Sequence, residues 1–291
     1  MNLSGLSDTF FYFVRNIDEY RQKGFAIVYL DETCVNVNHR PAKEWHSVDG
    51  FVGRSTPIGK GKRIIVLHAG GDNGFIQESE LVFVSRYHDG RDYHDEMNGA
   101  VFMNWVQHQL LPYLTTPTVV VMDNASYHSM LDPERRQPTS AWKKKQIQDW
   151  LTSHDIPFDV TLTKPELYVI CKRNRVDPIY SIDNMISASG QHKVLRLPAY
   201  HCDLNPIELI WSQVKRRVAE ENCHFTLKKV LELTKSSISK VTAADWQSCV
   251  RHTTTIEQEY MRLDGIIQRI QPIVIRLDSS SSSSSSEDSE D

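Results

Sequence analysis

Apolar and polar positions along this chain fall into runs of two kinds. Phe25-Ala-Ile-Val-Tyr-Leu30 is apolar, rich in β-branched and aromatic residues, preceded by Gly24 and closed by Asp31. A short continuous run of this type predicts a buried strand. Thr118-Val-Val-Val-Met122 repeats it and is closed by Asp123. Arg63-Ile-Ile-Val-Leu-His-Ala69 predicts another strand, stopped by Gly70-Gly-Asp-Asn-Gly74. Leu81-Val-Phe-Val-Ser85 predicts a further one, and so do the more polar residues 35–53 around Trp45, with Gly59-Lys-Gly-Lys62 as a turn.

The second pattern is helical. Met97, Val101, Phe102, Trp105, Val106, Leu110 and Leu111 recur at three- and four-residue spacing behind Asp95, which reads as the N-cap. Pro112 bends or ends that helix. Residues 132–195 read as an insertion broken by prolines, with helical patterns at 141–154, 165–175 and 178–189. Lys193-Val-Leu-Arg-Leu197 returns to strand character. Asn205 then reads as an N-cap with Pro206 at N1, and Leu209, Ile210, Val214 and Val218 give the following helix an apolar face. Residues 226–270 predict one or two more helices. Strands, a helix, another strand and later helices predict an α/β fold around a mixed sheet. The expected division is a helical extension over 1–24, the α/β domain over 25–222, C-terminal helices over 223–277, and a disordered Ser-rich acidic tail over 278–291.

Composition narrows the class without naming a function. With 40% hydrophobic residues the 291-residue chain can bury a sizeable core. No apolar run approaches the roughly 18 residues that span a bilayer, and Met1–Asp8 lacks the basic and apolar regions of a signal peptide. The formal charge of −4 is uneven, because the tail holds five acids and no base, which leaves the body at +1. That is not a strongly basic surface. The cations are local, at Lys60–Arg63, Lys143–Lys145, Lys172–Arg175 and Lys215–Arg217. The five cysteines are odd in number and irregularly spaced, as free thiols in a reducing compartment would be. Cys249 and His252 form a single C-x-x-H pair, which does not suffice for structural zinc.

The chemistry lies in three acids. Asp31 and Asp123 close apolar runs, and Glu208 falls in the first turn of the helix after Leu197-Pro-Ala-Tyr-His-Cys-Asp-Leu-Asn-Pro206. Rigid strand ends suit carboxylates that must converge. Two hard divalent cations a few ångströms apart, held by such acids, stabilise the attacking and leaving oxygens of an in-line displacement at phosphorus.

Leu30-Asp-Glu-Thr33, Val121-Met-Asp-Asn-Ala-Ser-Tyr-His128 and Pro198-Ala-Tyr-His-Cys-Asp-Leu-Asn-Pro-Ile-Glu-Leu-Ile-Trp211 resemble the DDE catalytic domain of mariner-like transposases. The third block is the most specific, and the resemblance covers residues 25–222. It implies an RNase H-like fold, with the mixed sheet flanked by helices and a mainly helical insertion before the last catalytic helix. It implies an endonuclease and transposase that uses two Mg²⁺ ions, with Mn²⁺ as substitute, to hydrolyse and transfer DNA strands. Asp31, Asp123 and Glu208 become the catalytic and metal-binding triad. Asn124 and His128 are expected to position phosphate or brace the loop, and Trp211 to pack in the core. Lys215 and Arg216 are expected near the DNA backbone, where contact needs only charge. Lys143, Lys144 and Lys145 would make the insertion a DNA clamp or a dimer contact.

Two departures stand out. Asp123 and Glu208 are 85 residues apart, longer than in mariner transposases proper, and the insertion accounts for it. Only 30 residues precede Asp31, too few for the family's helix-turn-helix modules. Sequence recognition is therefore expected to be lost or supplied by a separate protein, and the chain reads as a truncated copy or a catalytic domain put to another use. A homodimer and a nuclear location follow from the resemblance and the DNA substrate. The alternative is a non-catalytic nucleic-acid-binding or assembly module derived from a transposase.

Overall fold

The computed structural model of the protein describes residues 8–41, 57–85, 97–132, 135–176, 179–188 and 190–269. Six strands form one mixed sheet: β1 (Ala26–Asn36), β2 (Arg63–Gly71), β3 (Gly74–Phe75), β4 (Leu81–Val84), β5 (Thr118–Met122) and β6 (Lys193–Arg196). Their order is β3-β2-β1-β5-β6, with β4 also paired to β2. β1 is antiparallel to β2 and parallel to β5, and β5 is parallel to β6. The helices are α1 (Asp8–Gln22), α2 (Gly99–Trp105), α3 (Lys144–Ser153), α4 (Lys164–Arg173), α5 (Ser181–Ser187), α6 (Ile207–Glu221), α7 (Leu227–Ser239) and α8 (Ala243–Arg269).

Side chains alternate across a strand, and both faces of this sheet are covered. Tyr29, Ile64, Val66, Val119 and Val121 face one side, packed with Phe10, Phe13 and Ile17 of α1, Ile210, Trp211 and Val214 of α6, and Trp246 of α8. Val28, Leu30, Ile65, Leu67, Val120 and Met122 face the other, against Phe102 and Trp105 of α2 and Ile182 and Ile186 of α5. The central strands therefore read as continuous apolar runs rather than alternating ones. α3 and α4 bury a smaller cluster of their own around Ile147, Trp150, Leu151 and Leu167.

Several boundaries differ from the sequence reading for identifiable reasons. β1 does not end at Asp31. It continues to Asn36 because its other edge stays paired with β2 as far as Asn36 with Arg63, while pairing to β5 stops at Tyr29 with Val121. Gly70 and Gly71 do not stop β2. A Cβ on Gly70 would meet the Trp246 ring at 2.4 Å, so glycine lets α8 lie directly on the strand. The strand expected around Trp45 and the cap expected at Asp95 lie outside the described residues. Asn98 caps α2, its Oδ1 accepting from the Ala100 and Val101 N–H groups at 3.1 Å. Beyond Trp105 the helix widens into a π turn over Val106–Leu110 and ends in a 3₁₀ turn holding Pro112, which has no N–H to continue the ladder. Asn205 does not cap α6. Its side chain turns inward toward the Leu30 carbonyl at 3.5 Å, and the helix starts after Pro206 with no side-chain cap. Among the described residues no helix is long and apolar enough to cross a membrane.

Candidate active site

Strand parity puts two acids on one side of the sheet. Tyr29 and Val121 are register partners on parallel strands and both face α6. Two residues further along each strand, Asp31 and Asp123 project toward the same side. α6 places Glu208 there in its first turn. The three acids line a single cleft of about 230 Å³, with Asn124, Tyr200, His201 and Asn205 also on its walls.

Burying these acids together shifts their titration. Asp31 is recessed enough that lost hydration lifts its carboxyl pKa well above the usual range, and Glu32, Glu208 and Asp123 push the same way. Burial also raises Glu208; Lys215 opposes that rise and Asp123 adds to it. Among the described residues, neither Asp31 nor Glu208 forms an ion pair with a basic side chain. No group of three or more His, Cys, Asp or Glu among those residues is arranged to hold an ion by itself.

Asp123 is held by a chain of buried groups. Its Oδ1 accepts from the Ala125 N–H at 2.9 Å and lies 2.5 Å from His128 Nδ1. His128 Nε2 lies 3.1 Å from Glu32 Oε1, and the Tyr127 hydroxyl donates to Glu32 Oε2 at 3.2 Å. A ring with a carboxylate oxygen at each nitrogen is satisfied only when both nitrogens carry protons. Burial, the largest single influence on His128, pushes its pKa down; Glu32 and Asp123 outweigh it and raise the value to about 9. Arg196 fixes the backbone of the same loop. Its guanidinium donates to the Asp123 carbonyl at 3.1 Å and the His128 carbonyl at 2.9 Å, pairs with Asp183, and lies 4.8 Å over the Tyr180 ring.

The residues expected at nucleic acid fare differently. His128 is buried with both nitrogens engaged, an arrangement that braces the loop. Asn124 stands on the cleft wall and donates from Nδ2 to the Leu197 carbonyl at 2.7 Å, tying the second acidic loop to the strand before the third. Lys215 is half-buried, Arg216 is exposed, and neither lines the cleft. Lys143, Lys144 and Lys145 sit at the start of α3 and do not line the cleft, and Lys145 pairs with Asp149 at 3.7 Å across an exposed helix face. Trp211 is fully buried. Glu32, Tyr127 and Arg196 escaped the sequence reading. Glu32 stood beside Asp31, but parity sends it to the opposite face, and no spacing links Arg196 to Asp123.

A mixed sheet with helices on both faces, one acid on a central strand, one just past the end of its parallel neighbour and a third on a helix laid across them defines an RNase H-like architecture. The chain belongs to the DDE superfamily endonucleases, whose family model matches residues 26–230. Among solved structures it is similar to the Mos1 strand transfer complex, at 14% identity and a TM-score of 0.52, covering 88% of this chain and 61% of that one. It is likewise similar to the mariner Mos1 paired end complex with Mg, at 14% identity and a TM-score of 0.51, covering 90% and 64%. The chain thus spans less than two thirds of the Mos1 chains, and the likeness is one of fold. A search of curated proteins found no match.

Proposed function

We propose that this chain hydrolyses and transfers phosphodiester bonds of DNA, with Asp31, Asp123 and Glu208 as ligands of two Mg²⁺ ions that Mn²⁺ can replace. The observation that carries this reading is the convergence of three carboxylates on one cleft of a DDE-family chain, with no ion pair to Asp31 or Glu208 among the described residues. The donor set suits the ion. Mg²⁺ takes oxygen ligands, commonly one or two carboxylates, and completes its shell with water and phosphate oxygens. Bound there, the ions would polarise the phosphodiester and lower the pKa of the attacking hydroxyl or water.

The protein's own part is placement. Asp31 and Glu208 present carboxylates whose mutual repulsion a cation relieves. Glu32, through His128, and the Ala125 N–H stop the Asp123 carboxylate from rotating. Asn124 and Arg196 keep that loop in register with β6 and the segment before α6. DNA as substrate is supported by the strand transfer and paired end complexes of Mos1. Pairing of two chains, recognition by a separate protein and nuclear location are extensions of the same proposal.

Nicking of supercoiled plasmid tests it. The wild-type protein nicks with Mg²⁺ or Mn²⁺. Asp123→Asn keeps the shape and removes the charge, so the rate falls by about a thousandfold or more while thermal stability is retained. Nicking by a folded Asp123→Asn protein at the wild-type rate would refute the assignment.

A further inference from the structure

We infer that Tyr200 is a stacking platform for a nucleobase beside the phosphodiester held at the acidic cleft. The inference rests on the DNA-cleaving reading above and adds a binding residue to it. Tyr200 has φ of +65°, in the left-handed region that disfavours every L side chain and an aromatic one more than asparagine or glycine. Its ring is also fully exposed, with a relative accessibility of 103%. The fold therefore bears backbone strain and a bare aromatic surface together, and no packing among the described residues repays either. Strain of this kind concentrates where a side chain has to be aimed at something outside the molecule.

The turn is anchored rather than loose. His201 packs its ring on Phe10 at 4.4 Å and has Asp203 at 3.6 Å from Nδ1. The His201 N–H donates to the Pro198 carbonyl, and the Leu204 N–H to the His201 carbonyl. With His201 turned into the core side, the left-handed residue before it turns Tyr200 outward. Both residues line the cleft that holds Asp31, Asp123 and Glu208.

The position selects the ligand. A phosphodiester at the three acids carries bases within reach of the cleft wall, and every base offers a π-face to an exposed phenol ring. Such stacking is sequence-tolerant. It also steadies the strand without a lysine or arginine, and neither lines this cleft among the described residues. A protein surface could also cover an exposed tyrosine, but the shared wall with the acids favours a base.

The test uses a single-stranded oligonucleotide containing 2-aminopurine, in Ca²⁺ to hold DNA with cleavage suppressed, with the whole chain as wild type, Tyr200→Gly, Tyr200→Phe and Tyr200→Trp. Wild-type binding quenches the fluorophore. Tyr200→Gly removes the ring and relieves the strained φ, so it melts no lower than wild type yet binds about 5- to 100-fold more weakly with the quench lost. Tyr200→Phe and Tyr200→Trp keep both affinity and quench. Wild-type binding that Tyr200→Gly matches in affinity and quench overturns the inference and leaves the nuclease reading standing. A change of oligomeric state in Tyr200→Gly with unchanged DNA binding assigns the ring to a protein surface and also overturns it. A folded wild type that neither binds nor nicks DNA removes the nuclease reading and this inference with it.

Discussion

Asp31 and Glu32 are neighbours in the chain and opposites in the structure. Asp31 faces α6 and the cleft; Glu32, buried, faces α2 and holds Tyr127 and His128. One dipeptide thus supplies both an acid for the cleft and the support for a second acid, Asp123, just past the end of β5. Replacing Glu32 with Gln keeps the volume but removes the charge that His128 Nε2 faces. The expected cost is about 1–3 kcal/mol of stability, measured by urea denaturation, because a buried charged donor loses its partner. Cleavage slows as well, through Asp123, while DNA affinity is kept. An unchanged stability and rate in Glu32→Gln would show that the contact is incidental. At this scale the three acids that line the cleft were legible in the sequence because short motifs surround each of them. Glu32 and Arg196 were not. Their partners lie 96 and 68 residues away for His128 and its carbonyl, and only the folded strand order brings them together.

At the scale of elements, the corner made by β2, β3 and the turn before β4 is built round a neutral histidine. His68 is buried, stacks on Phe75 at 4.0 Å, and uses Nδ1 to accept from the Ala69 N–H at 3.0 Å. Ser79 Oγ also lies 2.7 Å from that nitrogen. Burial lowers the His68 pKa to about 3. The unfolded chain takes up this proton near pH 6.5, whereas the folded one resists it until about pH 3. The folded state therefore loses stability as pH falls from about 6.5 toward 3, by at most about 1.4 kcal/mol per pH unit from this residue. In His68→Gln that part of the slope disappears, although the variant is less stable at pH 7. Parallel stability curves for the two proteins between pH 7 and 4 would contradict it. The apolar runs at 26–30, 63–69 and 118–122 announced their strands because both faces are covered. The extension of β1 to Asn36 was hidden, since Asp31, Glu32 and Asn36 interrupt the run, and pairing with β2 rather than hydrophobicity holds that stretch.

Across the whole molecule, the acidic cleft depends on α6 crossing β1 and β5 at their shared end. Sequence could place Glu208 on a helix but not that helix on the sheet. The burial of Ile207, Ile210, Trp211 and Val214 against Tyr29 and Val121 does so. α1 and α8 close the same face, joined by Arg21, which pairs with Glu257 and donates to the Tyr29 hydroxyl at 2.9 Å. Of the cations read as DNA contacts, Lys143, Lys144 and Lys145 lie at the start of α3, which forms a small core of its own with α4, whereas Lys215 shares α6 with Glu208 and opposes the rise of its pKa. A body of net charge near +1 matches that dispersion. On the proposed function, metal held jointly by protein and phosphate, more than a basic surface, would engage DNA. The most direct measurement is calorimetric titration of Mn²⁺ into the protein with duplex DNA present, for wild type, Asp31→Asn, Asp123→Asn and Glu208→Gln. Binding by wild type that weakens in each of the three variants supports one shared site. Undiminished Mn²⁺ affinity in any of the three folded variants removes that acid from the site, and no Mn²⁺ binding by wild type on DNA contradicts the site altogether.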